Sequence, residues 1–284
     1  MNVGELERID RRLEEAEQCL DAGDAGEAGR LVGRIVAEHP DLPRARLLHA
    51  RSLLATGEPA EALATLNAAD WYRQADEAVG EAIDDRVTAA MLRAKALVNL
   101  DRVDDACAAL HHALETRPSD REARRWLAML LAQSGQNDQA EVHLRKLLAS
   151  WPNDVAGLRL FTNVCEAAGR CEQALEAWRR LCRVQRHERQ TTAEAEGSAP
   201  GDPVLDQAAQ LRTARLQRKA GRLNEATATY AALLGDDAED PDVACEAADL
   251  AVELGDDDAA VKYLLAALKA APGHEPALRR LAEQ

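Results

Sequence analysis

Slid against itself, the sequence repeats every 34 residues. Seven eleven-residue stretches fall into register, among them AGDAGEAGRLV from Ala22, TGEPAEALATL from Thr56, SGQNDQAEVHL from Ser134 and LGDDDAAVKYL from Leu254. The other three begin at Leu100, Ala168 and Ala220, and successive starts differ by 34, 44, 34, 34, 52 and 34 residues. A constant repeat is thus interrupted by one insertion of 10 residues and one of 18, giving repeats at 9–42, 43–76, 87–120, 121–154, 155–188, 207–240 and 241–274. A period of this length constrains the fold more than composition does. Each repeat is one supersecondary unit that cannot bury its apolar stripe alone, so neighbours must stack to build a core. The length of 284 residues would by itself suggest about two domains; the periodicity points to one continuous array instead.

The residues within a repeat say what it is made of. Aromatic residues make up 3% of the chain, too few for the side chains that strands favour, while Ala, Leu, Glu and Arg are abundant and form helices well. Repeat position 8 is small throughout (Ala16, Ala50, Ala94, Ala128, Thr162, Ala214, Ala248), and position 20 is Ala in all seven repeats, from Ala28 to Ala260. Two antiparallel helices can pack closely where such residues face each other. Position 15 is Gly except at Asp101; a helix ends there in the left-handed conformation, which Asp tolerates better than most residues. Position 24 is large and apolar, from Val32 to Trp178, Tyr230 and Leu264. Pro stands at position 32 in four repeats, and its loss at Gln74 and Arg186, just before the insertions, predicts second helices that run on.

With these residues at these positions, each repeat resembles a tetratricopeptide repeat, a helix–turn–helix module. The resemblance covers about five-sixths of the chain and implies an all-α fold, a right-handed superhelical solenoid of antiparallel helix pairs. Residues 1–188 are then five helix-pair repeats with a 10-residue insertion near 77–86, in which Trp71, Tyr72 and ADEAVGEAIDD suggest helix. Residues 189–206 are a flexible linker or a helix extension. Residues 207–284 hold two further repeats and a C-terminal capping helix of the same solenoid, with Ala277, Leu278 and Leu281 inward and Arg279 and Arg280 outward.

No reactive constellation stands out. There is no Gly-rich phosphate loop, no H-E-x-x-H and no C-x-x-C. Cys165, Cys171, Cys182 and His187 share a repeat, but their gaps do not match structural zinc spacings, and Cys165 faces the partner helix. His111 and His112 sit mid-helix, and Asp256 to Asp258 suit a helix N-terminus better than a calcium loop. The six scattered cysteines read as free thiols. The expectation is no enzyme, no cofactor and no metal. The N-terminus has no apolar signal core and the longest apolar run, Trp126 to Ala132, is short, which predicts a cytoplasmic protein. Only five of 35 basic residues are Lys, hinting at a GC-rich bacterial coding sequence.

Charge supplies the functional expectation. The net charge of −15 argues against nucleic-acid and anionic-membrane partners. Eleven acids and no base fall in 236–258, whereas 121–190 carries twelve bases against eight acids. The resemblance implies that positions 2, 5, 9, 12 and 13 of the first helices line a concave groove. At its middle these are Arg44, Arg51, Lys95, Arg125, Arg159, Arg215 and Arg218, with Asn99, Gln133 and Asn163 between them and Met129 beside Trp126 for apolar contact. The first and last repeats are acidic there, at Asp10, Glu17, Asp21, Asp242, Asp249 and Glu253. Arg125 and Arg159 share position 5 of adjacent repeats. The expected function is a protein-interaction scaffold that binds an acidic peptide or protein segment in this groove. The alternative is a self-assembling, homo-oligomeric solenoid whose basic middle meets acidic ends. A carboxylate clamp of the kind known in the family would start at Arg159 and Asn163, but it would continue into Arg212, Asp242 and Glu246, the last two of the wrong sign.

Overall fold

The structure is a computed structural model and describes residues 3–67, 81–196, 203–235 and 240–283. Among the described residues there are fifteen α-helices and no strand. Contacts divide the chain into two compact bodies, Met1–His143 and Leu144–Gln284. The division falls in the middle of repeat four rather than at either insertion.

The N-terminal body begins with α1 (Val3–Asp21), α2 (Ala25–Glu38), α3 (Pro43–Thr56) and α4 (Pro59–Asn67). It continues with α5 (Glu81–Asn99), α6 (Val103–Thr116), α7 (Arg121–Gln133) and the first part of α8 (Asn137–Ser150). First helices pack on second helices, α1 on α2, α3 on α4 and α5 on α6, and first helices also touch across repeats, α1 on α3 and α3 on α5. The C-terminal body continues with α9 (Val155–Ala167), α10 (Cys171–Glu196), α11 (Pro203–Lys219) and α12 (Leu223–Leu234). It ends with α13 (Pro241–Glu253), α14 (Asp257–Ala270) and α15 (Glu275–Glu283), the last packed on both α13 and α14.

The register read from the sequence places the core. All fourteen residues at positions 8 and 20 are buried, none more than 1% exposed. The large residues at position 24 are buried with them, Leu66, Leu110, Leu144 and Tyr230 almost completely and Trp178 to 9%. Helix ends follow the same logic. Gly57 ends α3 at φ 85°, and the next amide, of Glu58, donates to the Leu53 carbonyl at 2.8 Å. Asp101 takes the same place after α5 at φ 59°, the only non-glycine residue with positive φ among the described residues, and Arg102 closes the same bond to Leu97 at 2.8 Å. Aspartates start several helices by accepting amide hydrogens that no earlier turn can satisfy: Asp120 from Ala123 at 2.8 Å, Asp154 from Gly157 at 2.6 Å and Asp256 from Ala259 at 2.9 Å.

The interruptions differ in detail from the reading above. Gln74, Trp71, Tyr72 and the insertion up to residue 80 lie outside the described residues. Residues 81–86 extend the first helix of repeat three rather than the second helix of repeat two. After Arg186, α10 runs on to Glu196, and 203–206 already belong to α11; residues 197–202 lie outside the described residues. The capping helix needs two corrections. Leu278 is 47% exposed, because Ala277 and Leu281 occupy the side that meets α13 and α14. Arg280 does not point to solvent alone; it forms a two-bond pair with Asp249 at 2.6 and 2.9 Å.

Candidate functional site

The first-helix faces carry the residues named from the sequence, and in each body most of the charges there are paired. In the N-terminal body, Arg44 of α3 reaches Glu17 of α1 at 2.9 Å, and Arg51 reaches Asp21 at 3.0 Å. Lys95 on α5 is exposed and has no carboxylate partner among the described residues, and Asn99 is exposed four residues further on. Arg125 on α7 is half-buried and engaged within the fold. Trp126 beside it is half-buried, whereas Met129 is 37% exposed.

The C-terminal body repeats the pattern more densely. Arg215 of α11 grips both oxygens of Glu246 on α13, at 2.9 and 2.6 Å, and Arg218 grips Glu253 in the same way. Lys219 pairs with Glu166 of α9. Asn163 Oδ1 accepts from Arg212 at 2.6 Å, while the Arg212 guanidinium lies 4.6 Å from the centre of the Trp178 ring, a cation–π distance. A carboxylate clamp would use the Asn163 amide nitrogen as donor, and here Arg212 binds the amide oxygen of that side chain. Arg159 on α9 is exposed and, among the described residues, has no carboxylate partner. A cleft of about 940 Å³ opens over Arg212, Arg215, Tyr230 and Glu246, lined by cations that already hold counter-charges.

Most acids of the run at 240–258 are engaged locally, and Asp257 and Asp258 stand in the first turn of α14. Asp240 and Asp256 cap helices, Glu246, Asp249 and Glu253 pair with arginines, and Asp242 lies 3.1 Å from His274. Opposite charges about one repeat apart in sequence meet because the first helices of neighbouring repeats lie side by side. That spacing was the available signal. Reading charges repeat by repeat missed it.

Glu246 shows how strongly these pairs act. Burial pushes its carboxyl upward, but hydrogen bonds from Arg215 and from the Tyr230 hydroxyl, the latter at 2.9 Å, outweigh burial and hold it below its ordinary 4.5. The unfolded chain then takes up this proton before the folded one does. The contribution is complete above pH 4.5 and is lost as pH falls through the lower folded value. Glu246→Gln is expected to flatten the loss of stability between pH 6 and pH 3 in chemical denaturation; an acid limb as steep as the parent's would show that the pair is not linked to folding.

One arrangement invites a catalytic reading. Cys245 Sγ lies 3.8 Å from His274 Nδ1, and His274 Nε2 lies 3.1 Å from Asp242. The thiol is only 3% exposed, and burial raises its pKa above the ordinary 9.0, so it stays protonated at neutral pH. A buried protonated thiol is a poor nucleophile. Cys165 is similarly buried, its pKa pushed up to about 11. His111 and His112 are both exposed, His111 edge-on to His143 with centroids 5.4 Å apart. Among the described residues no cluster of three or more His, Cys, Asp or Glu could hold a metal, and no helix is long and apolar enough to cross a membrane.

Tetratricopeptide repeat family models match residues 19–83, 91–155 and 211–275. No match to a curated protein sequence was found. Among solved structures, the Naa15/Naa10 complex bound to HypK-THB aligns with a TM-score of 0.63 and 17% identity over 97% of this chain. This chain spans 39% of that one's length. The C-terminal part of a TPR repeat-containing protein from Cytophaga hutchinsonii aligns with a TM-score of 0.66 and 12% identity, covering 95% of this chain and 99% of that one. A tetratricopeptide repeat protein from Parabacteroides merdae aligns at 0.52 and 15%, covering 96% and 97%. Identities this low establish a shared fold, and together with the matched segments and the buried alanine register they lead to one conclusion: the chain belongs to the tetratricopeptide repeat family.

Proposed function

We propose that this protein is a non-enzymatic, cytoplasmic scaffold that binds an acidic peptide or protein segment along its first-helix faces. Tetratricopeptide repeats generally mediate protein–protein interaction, and what carries the finer reading is the pairing pattern. In a chain of net charge −15, Lys95 and Arg159 stand exposed on first helices and have no carboxylate partner among the described residues. Arg51 and Arg215, already neutralised, hold the helices in place and contribute little free charge. Asn99 near Lys95 supplies a polar contact, and Met129 supplies an apolar one beside Trp126. The self-assembly reading is weaker, since four of the six acids expected to meet another copy's basic middle, Glu17, Asp21, Asp249 and Glu253, are engaged by Arg44, Arg51, Arg280 and Arg218 of the same body.

Reversal of both free cations, Lys95→Glu with Arg159→Glu, tests this. Exposed charges contribute little to folding, so helicity and melting should stay those of the parent. Affinity for a partner recovered by pull-down should fall at least ten-fold, because each attraction becomes a repulsion. Parent-like binding by the double variant would move recognition away from the first-helix faces.

A further inference from the structure

α10 carries an arginine-rich segment that neither the repeat register nor the first-helix face uses. Its residues 179–189, RRLCRVQRHER, hold five Arg and one His against one acid. Two of the arginines are compensated: Arg179 by Glu225 at 2.6 Å and Arg189 by Asp206 at 3.0 Å. Arg180, Arg183 and Arg186 have no counter-charge among the described residues. Spacings of three and four residues bring Arg180, Arg183 and His187 to one side of the helix, together with Val184. Arg180 and Arg183 repel at this spacing, and Glu176, four residues before Arg180, offsets part of that charge.

On that side α10 borders a groove of about 950 Å³. Its floor is apolar: Leu158 is fully buried, and Phe161, the chain's only Phe, is half-buried there with Leu148 and Val184. The rim carries Arg180, Arg183, His187 and Arg145, the last tied to Gln173 at 3.2 Å, against the carboxylates of Glu176 and Glu188. The volume suits a few side chains rather than a whole domain. A cationic rim over an apolar floor selects an occupant that carries both carboxylates and a large apolar group.

We propose that this groove, bordered by the second helices α8 and α10 and floored by α9, is a second docking site, for an acidic segment bearing an aromatic or long aliphatic side chain. It is separate from the first-helix face of the proposed function. The apolar floor and the single aromatic ring favour a peptide over a nucleic acid, which needs stacking surfaces and would meet repulsion from a chain of net charge −15.

A fluorescein-labelled dodecapeptide in which pairs of Glu flank Phe and Leu serves as the probe, read by fluorescence anisotropy. The parent protein should bind it, and Arg180→Glu with Arg183→Glu should weaken binding at least ten-fold with circular dichroism and melting unchanged. On the peptide side, where folding is not at issue, Gln in place of Glu or Ala in place of Phe should each weaken binding at least five-fold. The Lys95→Glu, Arg159→Glu variant should bind within two-fold of the parent. The proposal is overturned by undetectable binding to the parent, by parent-like binding to the Arg180/Arg183 reversal, or by preference for a twelve-residue oligo(dT). Loss of binding in the Lys95/Arg159 variant alone would overturn it too, while leaving the first-helix reading standing.

Discussion

Replacing Trp178 by Ala is expected to destabilise the C-terminal body by about 3–5 kcal/mol, the range for truncating a large buried aromatic side chain. Trp178 stands at position 24 of repeat five, 9% exposed, in a cluster with Leu158, Cys165, Ala174, Leu175, Leu181 and Leu216. That cluster spans α9, α10 and α11, so the indole joins repeat five to repeat six. Its Nε1–H donates to Thr213 Oγ1 at 3.0 Å and lies 3.3 Å from the Ala209 carbonyl oxygen, both on α11. Its ring face carries the Arg212 guanidinium. Truncation removes packing, donor and cation–π contact together. Trp178→Phe keeps most of the packing and leaves the Thr213 hydroxyl without its indole donor, so it should cost about 1–3 kcal/mol. Urea unfolding followed by circular dichroism reads both. A Trp178→Ala midpoint indistinguishable from the parent's would mean that the α10–α11 junction is not held through this residue.

The second large effect comes from adding volume. Ala174 and Ala226 occupy position 20 of repeats five and six and are 0% exposed, so the facing helix fills the space a longer side chain would need. Ala174→Leu and Ala226→Leu should each cost about 1–3 kcal/mol, through displaced side chains and a widened helix pair. Ala228, two residues along α12, is exposed; Ala228→Leu there should leave melting near the parent's and serves as the control. If the Ala226 and Ala228 variants melt alike, the position-20 alanines do not mark a close helix crossing.

These two sites differ in how far they could be read without the structure. A close helix crossing leaves its mark as a small residue recurring at a fixed interval, because steric exclusion at the contact admits nothing larger. Ala174, Ala226 and their equivalents were therefore legible from the sequence, and so was the left-handed turn at Asp101, where the conformation restricts which residue can stand. What Trp178 does was not. Its apolar role follows from position 24, but its partners Thr213 and Ala209 lie across the second insertion, at a distance no repeat period announces.

The first-helix face was legible as a set of positions and misread as a free charge. Arg51, Arg215 and Arg218 do lie there, but each is held by Asp21, Glu246 or Glu253 of the neighbouring first helix. A long Arg side chain can reach carboxylates on either side, and its choice depends on the lateral distance and rotation between adjacent helices. Composition and periodicity do not carry those quantities. For the same reason Lys95 and Arg159 could not be told from their paired counterparts. The α10 stripe was visible only as a local excess of Arg, since its meaning depends on Phe161 and Leu148 arriving beside it from two other helices. Sequence periodicity determined which residues are core, because packing acts on size at every repeat. Tertiary structure alone decided which charges remain free, because pairing acts on angstrom distances between helices that the period brings together but does not orient.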